Sequence, residues 1–409
     1  MQAVSALPAP VANQAGLRRV LVVLCGTEII SWGILFYAFP VLLGDITADT
    51  GWSATTLMAA FSAGQLVAAL VGIPVGRWLD QHGPRVVMTA GSVLAVPALA
   101  LVALAPTPVW FFLGWLLVGA AMGAVLYPPA FAAVTRWHGP DRIRALTALT
   151  LVGGLASTVF APLTAVLSAY LDWRTTYLVL AVLLAVVTIP GHWFGLTLPW
   201  PARPAAEPEY AHLTDPGHTA RSPAFWALAI SLSVTGFASF AAVVTLVPLL
   251  VERGFDTGIA AVALGLGGAG QVVSRLGYSA FAARTSVRTR TLAILLAIAA
   301  TTALLAVFTS AVALIAVAVL AGMARGVFTL LKATAITDRW GTAHYGRLNG
   351  VLTAPVTISL ALAPFAATAV AEAVGGYPRA FLILGLLAAA AAFLSLASIP
   401  KQPRKEHFS

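Results

Sequence analysis

Four ionisable residues lie inside stretches that are otherwise apolar enough to cross a bilayer: Glu28, Arg275, Arg325 and Lys332. An ionisable side chain in hydrocarbon costs at least about 2.5–3.5 kcal/mol, so such groups usually face a partner or a wet cavity. One acid and three bases at membrane depth predict the lining of a polar path. Because the lining is positive overall, it favours an anion over a cation.

The composition predicts the elements that position these residues. Hydrophobic residues make up 60% of the 409 residues and charged residues 9%, and the mean hydropathy is +0.92, unlike a soluble domain. Since a spanning helix needs about 20 apolar residues, we predict an all-α membrane protein with twelve transmembrane helices. The predicted runs are 18–43, 53–79, 85–105, 108–135, 143–170, 174–198, 223–251, 257–283, 289–308, 311–337, 346–371 and 378–399.

Several chemistries are excluded by what the sequence lacks. The single cysteine, Cys25, excludes an internal disulfide. The histidines lack metal-ligand spacing, and no glycine-rich loop carries the Lys-Ser/Thr pair of an ATPase. The glycines between Gly265 and Gly270 fall inside a spanning run, so they predict helix packing and not a dinucleotide site. We expect no enzyme activity, no metal and no cofactor.

The distribution of basic residues predicts the orientation. With the N-terminus in the cytoplasm, most Lys and Arg residues fall in cytoplasmic segments, and only Arg174, Arg253 and Arg379 fall outside. This is the positive-inside pattern, which counts Lys and Arg and not net charge. The net charge of +9 therefore reflects topology and contact with anionic lipid. No basic run with interleaved aromatics predicts nucleic-acid binding.

The chain divides into two similar halves. Residues 199–222 form a long polar, proline-containing stretch, which predicts a cytoplasmic linker between a bundle at 1–198 and a bundle at 223–409 that ends in a short tail. Four residue pairs recur 203 positions apart: Arg136 and Arg339, Arg144 and Arg347, Gly119 and Gly322, Gly123 and Gly326. Two pseudo-symmetric six-helix bundles follow, and repeats of this kind place a substrate site at their interface.

A second match between the halves shows which residue of the first half corresponds to Arg275. The residues from Gly64 to Val67 resemble those from Gly270 to Val273, which places Arg275 opposite Ala69. The arginine therefore breaks the internal symmetry, as expected of a functional addition.

The segment from Gly76 to Arg85, with Asp80 and Gly83 inside it, resembles the signature loop of the major facilitator superfamily. The resemblance implies that family's twelve-helix fold and transport by alternating access. It also implies that Gly76, Asp80, Gly83 and Arg85 form a gate in which Asp80 caps a helix N-terminus of the other half. Positions 81 and 84, which are usually basic in the family, are not basic here.

A narrower resemblance concerns the first and eighth runs. The residues from Trp32 to Pro40 are similar to the monocarboxylate porter and oxalate:formate antiporter group, as is the spacing of Gln271 four residues before Arg275. In that group the arginine pairs with the substrate carboxylate, which implies the same role for Arg275. Val41 stands where the animal porters have a lysine implicated in proton coupling, so that group's coupling machinery is not implied.

The residues themselves predict a site for an anion. The guanidinium of Arg275 matches a carboxylate in two-pronged geometry, and Arg325 would add a second positive contact. Gln271 and Tyr127 are candidate hydrogen-bond donors. The alternative for Arg325 is a salt bridge to Glu28. For Lys332, an ammonium that reaches the interface is the favoured interpretation.

Glu28 is the one acid predicted at membrane depth, about ten residues into the first run. Burial and nearby cations have opposite effects on such a carboxyl group. A group balanced between them can load and release a proton in each cycle, so Glu28 is predicted to couple transport to protons. The alternative is a fixed counter-ion for Arg275 or Arg325.

Together these features predict a secondary active transporter that moves a small organic anion, a mono- or dicarboxylate, in symport with protons. Three alternatives remain open: anion exchange, proton-driven efflux of an amphipathic drug, and an anion sensor. The expected partners are the anion, protons and membrane lipid, and the expected functional unit is a monomer. The alanine-rich, basic composition is associated with bacterial inner-membrane proteins, with both termini cytoplasmic.

Overall fold

The computed structural model describes residues 14–201, 216–255 and 257–400. Within these ranges the chain is helical and contains no strand. Contacts divide it into two compact units. The first comprises residues 1–211 and 342–354, and the second comprises residues 212–341 and 355–409. The linker predicted at 199–222 stays a prediction, because residues 202–215 lie outside the described ranges.

Nine helices and two π-helical segments of the first unit precede residue 201. In chain order they are α1 (Gln14–Trp32), π-helical Gly33–Tyr37, α2 (Ala38–Thr50), α3 (Ala54–His82), α4 (Pro84–Ala103), α5 (Pro108–Val125), α6 (Tyr127–His138), α7 (Arg142–Gly154), α8 (Ala156–Tyr170), α9 (Trp173–Pro190) and π-helical Gly191–Gly195. Their ends follow local chemistry. The side chains of Ser53 and Asp172, for example, accept the N–H groups of Thr56 and Thr175 at the starts of α3 and α9.

The second unit contains the remaining helices, except that the start of α18 belongs to the first unit. They are α10 (Pro216–Arg221), α11 (Pro223–Val244), α12 (Leu246–Glu252), α13 (Thr257–Leu276), α14 (Tyr278–Arg284), α15 (Val287–Val307), α16 (Ala311–Thr334), α17 (Thr337–Trp340), α18 (Tyr345–Val374) and α19 (Tyr377–Leu394). Ser222, Ser286 and Ser310 cap α11, α15 and α16 in the same way as Ser53 caps α3.

The protein is an integral, multi-pass membrane protein of the all-α class. Nine segments of the described chain are long and apolar enough to cross a membrane, and one of them, Pro108–Tyr170, covers two predicted runs. The eighth and eleventh predicted runs, which are not among the nine, are occupied by α13 and α18. Each of the twelve predicted runs therefore coincides with helix.

Close glycine contacts join two helices in each unit and fix the true register of the repeat. A Cβ on Gly119 would collide with the carbonyl of Gly64, and a Cβ on Gly322 would collide with the carbonyl of Gly267. The residues of the second contact lie 203 positions after those of the first. Helix α13 therefore corresponds to α3 at the same offset at which α16 corresponds to α5. The register that placed Arg275 opposite Ala69 is thus wrong by three residues, because the Gly-Gln match ignored packing.

In the corrected register Arg275 corresponds to Gly72, so the arginine still has no counterpart in the first unit. The glycine run of α13 packs against α16, as predicted from its position inside a spanning run. Gly267 and Gly270 approach the carbonyls of Ala318 and Val319, which lets the two helices meet at backbone distance.

In each unit an arginine donates hydrogen bonds to two backbone carbonyls, and the two pairs of carbonyls occupy equivalent positions in the repeat. In the first unit Arg174 Nη1 donates to the carbonyl oxygens of Ala103 (2.8 Å) and Ala105 (3.3 Å). In the second unit Arg253 donates to the carbonyls 203 positions later, those of Ala306 and Phe308. The carbonyls belong to helix C-termini, where cations are favourable. Arg174 lies in α9 and Arg253 follows α12, yet both arginines donate to the carbonyls at the end of an equivalent helix.

Candidate functional site

Glu28 is fully buried in α1. Neither carboxyl oxygen makes a hydrogen bond of normal geometry within the described chain, and no ion pair found there includes this residue. Ionising an unpaired carboxyl group in such surroundings costs several kcal/mol. The group is therefore suited to hold a proton and to release it only when its surroundings change.

Two further polar groups accompany Glu28 on one face of α1. Ser31 and Trp32 follow it by three and four residues, the spacing that brings side chains together on a helix. Their Oγ and Nε1 atoms are also buried, and neither makes a hydrogen bond of normal geometry among the described residues. The indole of Trp32 interacts with the Glu28 carboxyl group. Sequence reasoning did not assign a role to Ser31 or Trp32, although their spacing from Glu28 was a usable signal.

Trp32 belongs to an aromatic face, which we define as the side chains of Trp32, Phe36, Tyr37 and Tyr127. The Trp32 ring centroid lies 5.1 Å from that of Tyr127, 5.4 Å from that of Phe36 and 6.4 Å from that of Tyr37. All four side chains are half-buried. The structure thus brings Tyr127, predicted as a site residue, next to the helix that carries Glu28.

The backbone is irregular on both sides of this contact. Leu126 has extended dihedral angles and separates α5 from α6, because Pro128 and Pro129 offer no N–H groups to continue the helix. The π-helical segment Gly33–Tyr37 begins directly after Trp32. Segments of this kind occur frequently at functional sites. Gly153 of α7 leaves the space that the Tyr127 hydroxyl occupies, since a Cβ there would lie 2.6 Å from it.

Arg325 lines a small cavity of about 20 Å³ inside the second unit. The other polar walls of this cavity are Ser239, Thr301 and Thr302, and the remaining lining residues are small or aliphatic. Arg325 lies on α16 between Gly322 and Gly326, which pack closely against α13. This packing fixes the position of the backbone that carries the Arg325 side chain. Its Nε makes no hydrogen bond within the described ranges, and no carboxylate there pairs with it. The cavity is therefore lined by a guanidinium that still has a donor to offer.

Arg275 and Lys332 form a second positive region in the same unit. Arg275 is buried in α13, and Lys332 of α16 lies close enough to repel its charge. The Lys332 ammonium lies 5.3 Å from the ring centroid of Phe328. The ammonium lies over that ring, whereas the sequence predicted that it reaches the membrane interface. Gln271 is half-buried on α13, and its backbone carbonyl packs against Gly326.

The four predicted gate residues divide into two groups. Asp80 Oδ1 accepts the backbone N–H of Gly346 (3.0 Å), and Oδ2 accepts that of Arg347 (2.8 Å), at the start of α18. Gly76 faces the carbonyl of Gly346 with no room for a Cβ. Arg136 Nη1 lies 4.0 Å from Asp80 Oδ1 and donates to its backbone carbonyl. The structure thus brings Gly76 and Asp80 together at the α18 N-terminus.

Gly83 and Arg85 contact other parts of the first unit. Gly83 has a φ of +80°, which favours glycine, and packs on the Trp200 ring. Arg85 Nε donates to the carbonyl of Trp193 at 2.8 Å, and its guanidinium lies 4.3 Å from the ring centroid of that residue. These two residues hold the turn between α3 and α4 in place.

Comparisons with known proteins agree with this architecture. A family model described as "Major Facilitator Superfamily" matches residues 22–312 and 269–409. A crystal structure of the transporter FucP in the outward conformation is similar with a TM-score of 0.73 and 17% identity, over 93% of this chain and 99% of that chain. The human organic anion transporter MFSD10 (TETRAN) is similar with a TM-score of 0.71 and 18% identity, over 93% of this chain and 99% of that chain. At such identities the likeness concerns the fold alone.

One curated protein is similar in sequence. An uncharacterized 38 kDa protein from Thermoproteus tenax is 35% identical over 127 residues, which are 31% of this chain and 33% of that protein. The chain therefore matches about a third of the length of this relative.

Proposed function

This chain belongs to the major facilitator superfamily, and we propose that it moves a small organic anion across the membrane by alternating access, in symport with a proton. The observation that carries the proposal is the cavity lined by Arg325. A guanidinium without a carboxylate partner in the described chain leaves a positive charge for the cargo to neutralise. The hydroxyl groups of Ser239 and Thr302 on the other walls can donate further hydrogen bonds to an oxyanion.

A carboxylate is the anion that we propose. The planar guanidinium offers paired N–H donors that match the two oxygens of a carboxylate. Arg275 and Lys332 provide a second positive region on the same two helices, α13 and α16. In this proposal Arg325 holds the carboxylate, Arg275 and Lys332 attract it, and Gln271 and Tyr127 donate hydrogen bonds at other stages of the cycle.

Glu28 is the proposed proton carrier. Its burial without a charged partner favours the neutral acid, and a cycle that exposes the group to water would release the proton. The Ser31 hydroxyl and the Trp32 indole, which already interacts with Glu28, can donate hydrogen bonds to the ionised carboxyl group. The proton and the anion would then bind on one side of the membrane and be released together on the other.

Asp80 and Gly76 are the proposed gate. The carboxylate of Asp80 caps the N-terminus of α18, where the helix dipole favours negative charge. Transport would require this cap to break and re-form, so its strength would set the rate of interconversion. Gly83 and Arg85 would support the gate by fixing the turn that follows it.

The names of two structural relatives agree with parts of the proposal. FucP from E. coli is named a fucose:proton symporter, and MFSD10 is named an organic anion transporter. Anion exchange remains a second candidate, because the cavity at Arg325 would serve it equally well. The location in a bacterial inner membrane, the cytoplasmic termini and the monomeric state belong to the same proposal.

Reconstituted protein tests this function. Proteoliposomes would be assayed for uptake of radiolabelled lactate, pyruvate, formate and oxalate, with and without an inward acid gradient. Saturable uptake that rises with the gradient and is lost in Arg325→Gln supports the proposal. Uptake that ignores the gradient but requires internal anion would indicate exchange. Transport of a lipophilic cation and of no carboxylate would contradict the proposal.

A further inference from the structure

Trp200, the second residue of the predicted linker, packs against the end of α3 within the first unit. Its indole Nε1 donates to the backbone carbonyl of Asp80 at 3.4 Å. A Cβ on Gly83 would lie 3.1 Å from the indole ring, so the absence of a side chain there lets the ring reach the turn between α3 and α4. The side chain of Trp200 is half-buried by these contacts.

Helix α6 holds the same short segment from a second side. The guanidinium carbon of Arg136 lies 5.0 Å from the Trp200 ring centroid, within the range of a cation–π contact, and Nη2 donates to the carbonyl of Pro201 at 3.1 Å. The ring of Trp137 meets that of Trp200 edge to face, with 5.5 Å between centroids. Its Nε1 donates to the carbonyl of Pro199 at 3.2 Å. Residues 199–201 are therefore fixed to the first unit at each position.

These contacts converge on Asp80, whose side chain is the proposed gate. Helix α3 ends at His82, so the Asp80 carbonyl is among the last four, which lack a partner within a helix. It accepts hydrogen bonds from Trp200 and from Arg136 Nη1 (3.3 Å). The carboxylate of the same residue caps α18. Donors to its backbone thus hold in place the residue whose side chain makes the cap.

The acid and the tryptophan occur together in one half of the chain only. At the repeat offset of 203 residues, Asp80 corresponds to Ala283 and Trp200 corresponds to Pro403. Arg136 does have a counterpart, Arg339, but that guanidinium donates to the hydroxyl groups of a serine and a threonine. The tryptophan therefore accompanies the gate and not the fold that the halves share.

We propose that Trp200 is a positioning residue for the gate: it holds the end of α3 so that the Asp80 carboxylate stays in place to cap α18. The inference rests on the proposed function through the gate, and it does not depend on which anion is carried. Without the indole, the Asp80 carbonyl loses a donor and Arg136 loses the ring that it contacts. The loss of one hydrogen bond and one cation–π contact predicts about three- to tenfold more frequent opening of the cap.

The separation of α18 from α3 can be measured without a substrate. Asn349 lies on α18 between Gly346 and Gly350, both of which pack against α3, and it is 5% exposed. Asn349→Cys in a Cys25→Ser background gives a single buried thiol, since the chain has one cysteine. Labelling of this parent protein in nanodiscs by a water-soluble maleimide, at constant pH, reports how often the thiol becomes accessible.

Four variants of the parent test the role of the indole. We expect Trp200→Ala to label about three- to tenfold faster than the parent. Trp200→Phe keeps a ring but loses the N–H group, so its rate should fall between the two. Trp226→Ala removes an exposed tryptophan at the start of α11 and should label at the parent rate. Asp80→Asn, which weakens the cap itself, should label faster.

The combination of Trp200→Ala with Asp80→Asn distinguishes an action on the gate from a general loss of stability. If Trp200 acts through Asp80, the double variant should label at about the rate of the faster single variant. Rates that multiply in the double variant would contradict the inference, as would a parent rate in Trp200→Ala. In either case a faster rate in Asp80→Asn leaves the gate standing.

A parent rate in Asp80→Asn would show that the gate and the inference are both wrong. Failure of the protein to transport any carboxylate would not change these rates, so the anion proposal and the role of Trp200 can fail separately.

Discussion

The backbone N–H of Gly346 donates a 3.0 Å hydrogen bond to Asp80 Oδ1, so the carboxylate of α3 caps the first turn of α18. Substituting the carboxylate by an amide removes its charge and one acceptor oxygen. We expect Asp80→Asn to weaken the cap by about 1–2 kcal/mol. If the cap sets the rate of interconversion, the maximal transport rate should change several-fold while KM changes little, as measured by initial rates of uptake. Asp141→Asn, at an exposed acid, is the control, and equal rates in the two variants would contradict the gate.

The close approach of Gly76 and Gly346 predicts a steric effect on stability. A Cβ on Gly76 would collide with the carbonyl of Gly346, whereas a Cβ on Gly72 has no atom within 4 Å. We therefore expect Gly76→Ala to lower the free energy of unfolding by about 1–3 kcal/mol through overpacking. Gly72→Ala, one turn earlier on the same helix, should not lower the free energy of unfolding, because alanine favours a helix more than glycine does. Thermal unfolding in detergent would measure both, and equal midpoints would contradict the packing described for α3 and α18.

The cavity at Arg325 predicts different results for two substitutions. Arg325→Gln removes the charge and should abolish carboxylate binding. Arg325→Lys keeps the charge but loses the paired donors, so affinity should fall by about tenfold. Binding of a radiolabelled carboxylate to purified protein would measure both. Arg288→Gln, at an exposed position of the same unit, should bind normally. Wild-type affinity in Arg325→Gln would remove this residue from the site.

The arginines that bind helix C-termini predict a shared effect on stability. Arg174→Ala and Arg253→Ala each leave two backbone carbonyls without their donors. Because hydrogen bonds to charged groups contribute about 1.5–3 kcal/mol, each variant should unfold at a lower temperature, with transport affinity unchanged. Arg18→Ala, at an exposed arginine, serves as the comparison. Lost affinity at an unchanged unfolding temperature would mean that these arginines act on the cargo.

Much of the fold was predictable because hydropathy and charge operate over long stretches of sequence. Twelve apolar runs and the recurrence of Gly119 and Gly123 as Gly322 and Gly326 predicted the all-α membrane architecture and the internal repeat. The register of α13 was predicted wrongly because the Gly-Gln match at Gly64 and Gly270 is short. Contact between Gly119 and Gly64 is a property of packing, which a local match does not contain.

Candidate site residues could be predicted where a residue type is rare at membrane depth. Glu28 and Arg325 were found in this way, since ionisable residues stand out in an apolar run. The partners of these residues were missed, because Ser31 and Trp32 are ordinary in spanning helices and gain meaning only from burial beside Glu28. Arg85 was predicted as a gate residue from its motif, but its contact with Trp193 depends on the π-helical turn after α9, which the sequence did not indicate.

The substitution Glu28→Gln tests whether Glu28 couples anion transport to protons. The variant keeps the size of the side chain but cannot release a proton. Proteoliposomes would be assayed in parallel for uphill accumulation of a carboxylate under an acid gradient and for its exchange at equal pH on both sides. We expect Glu28→Gln to lose accumulation and to retain exchange. Full accumulation by Glu28→Gln would show that Glu28 does not carry the proton.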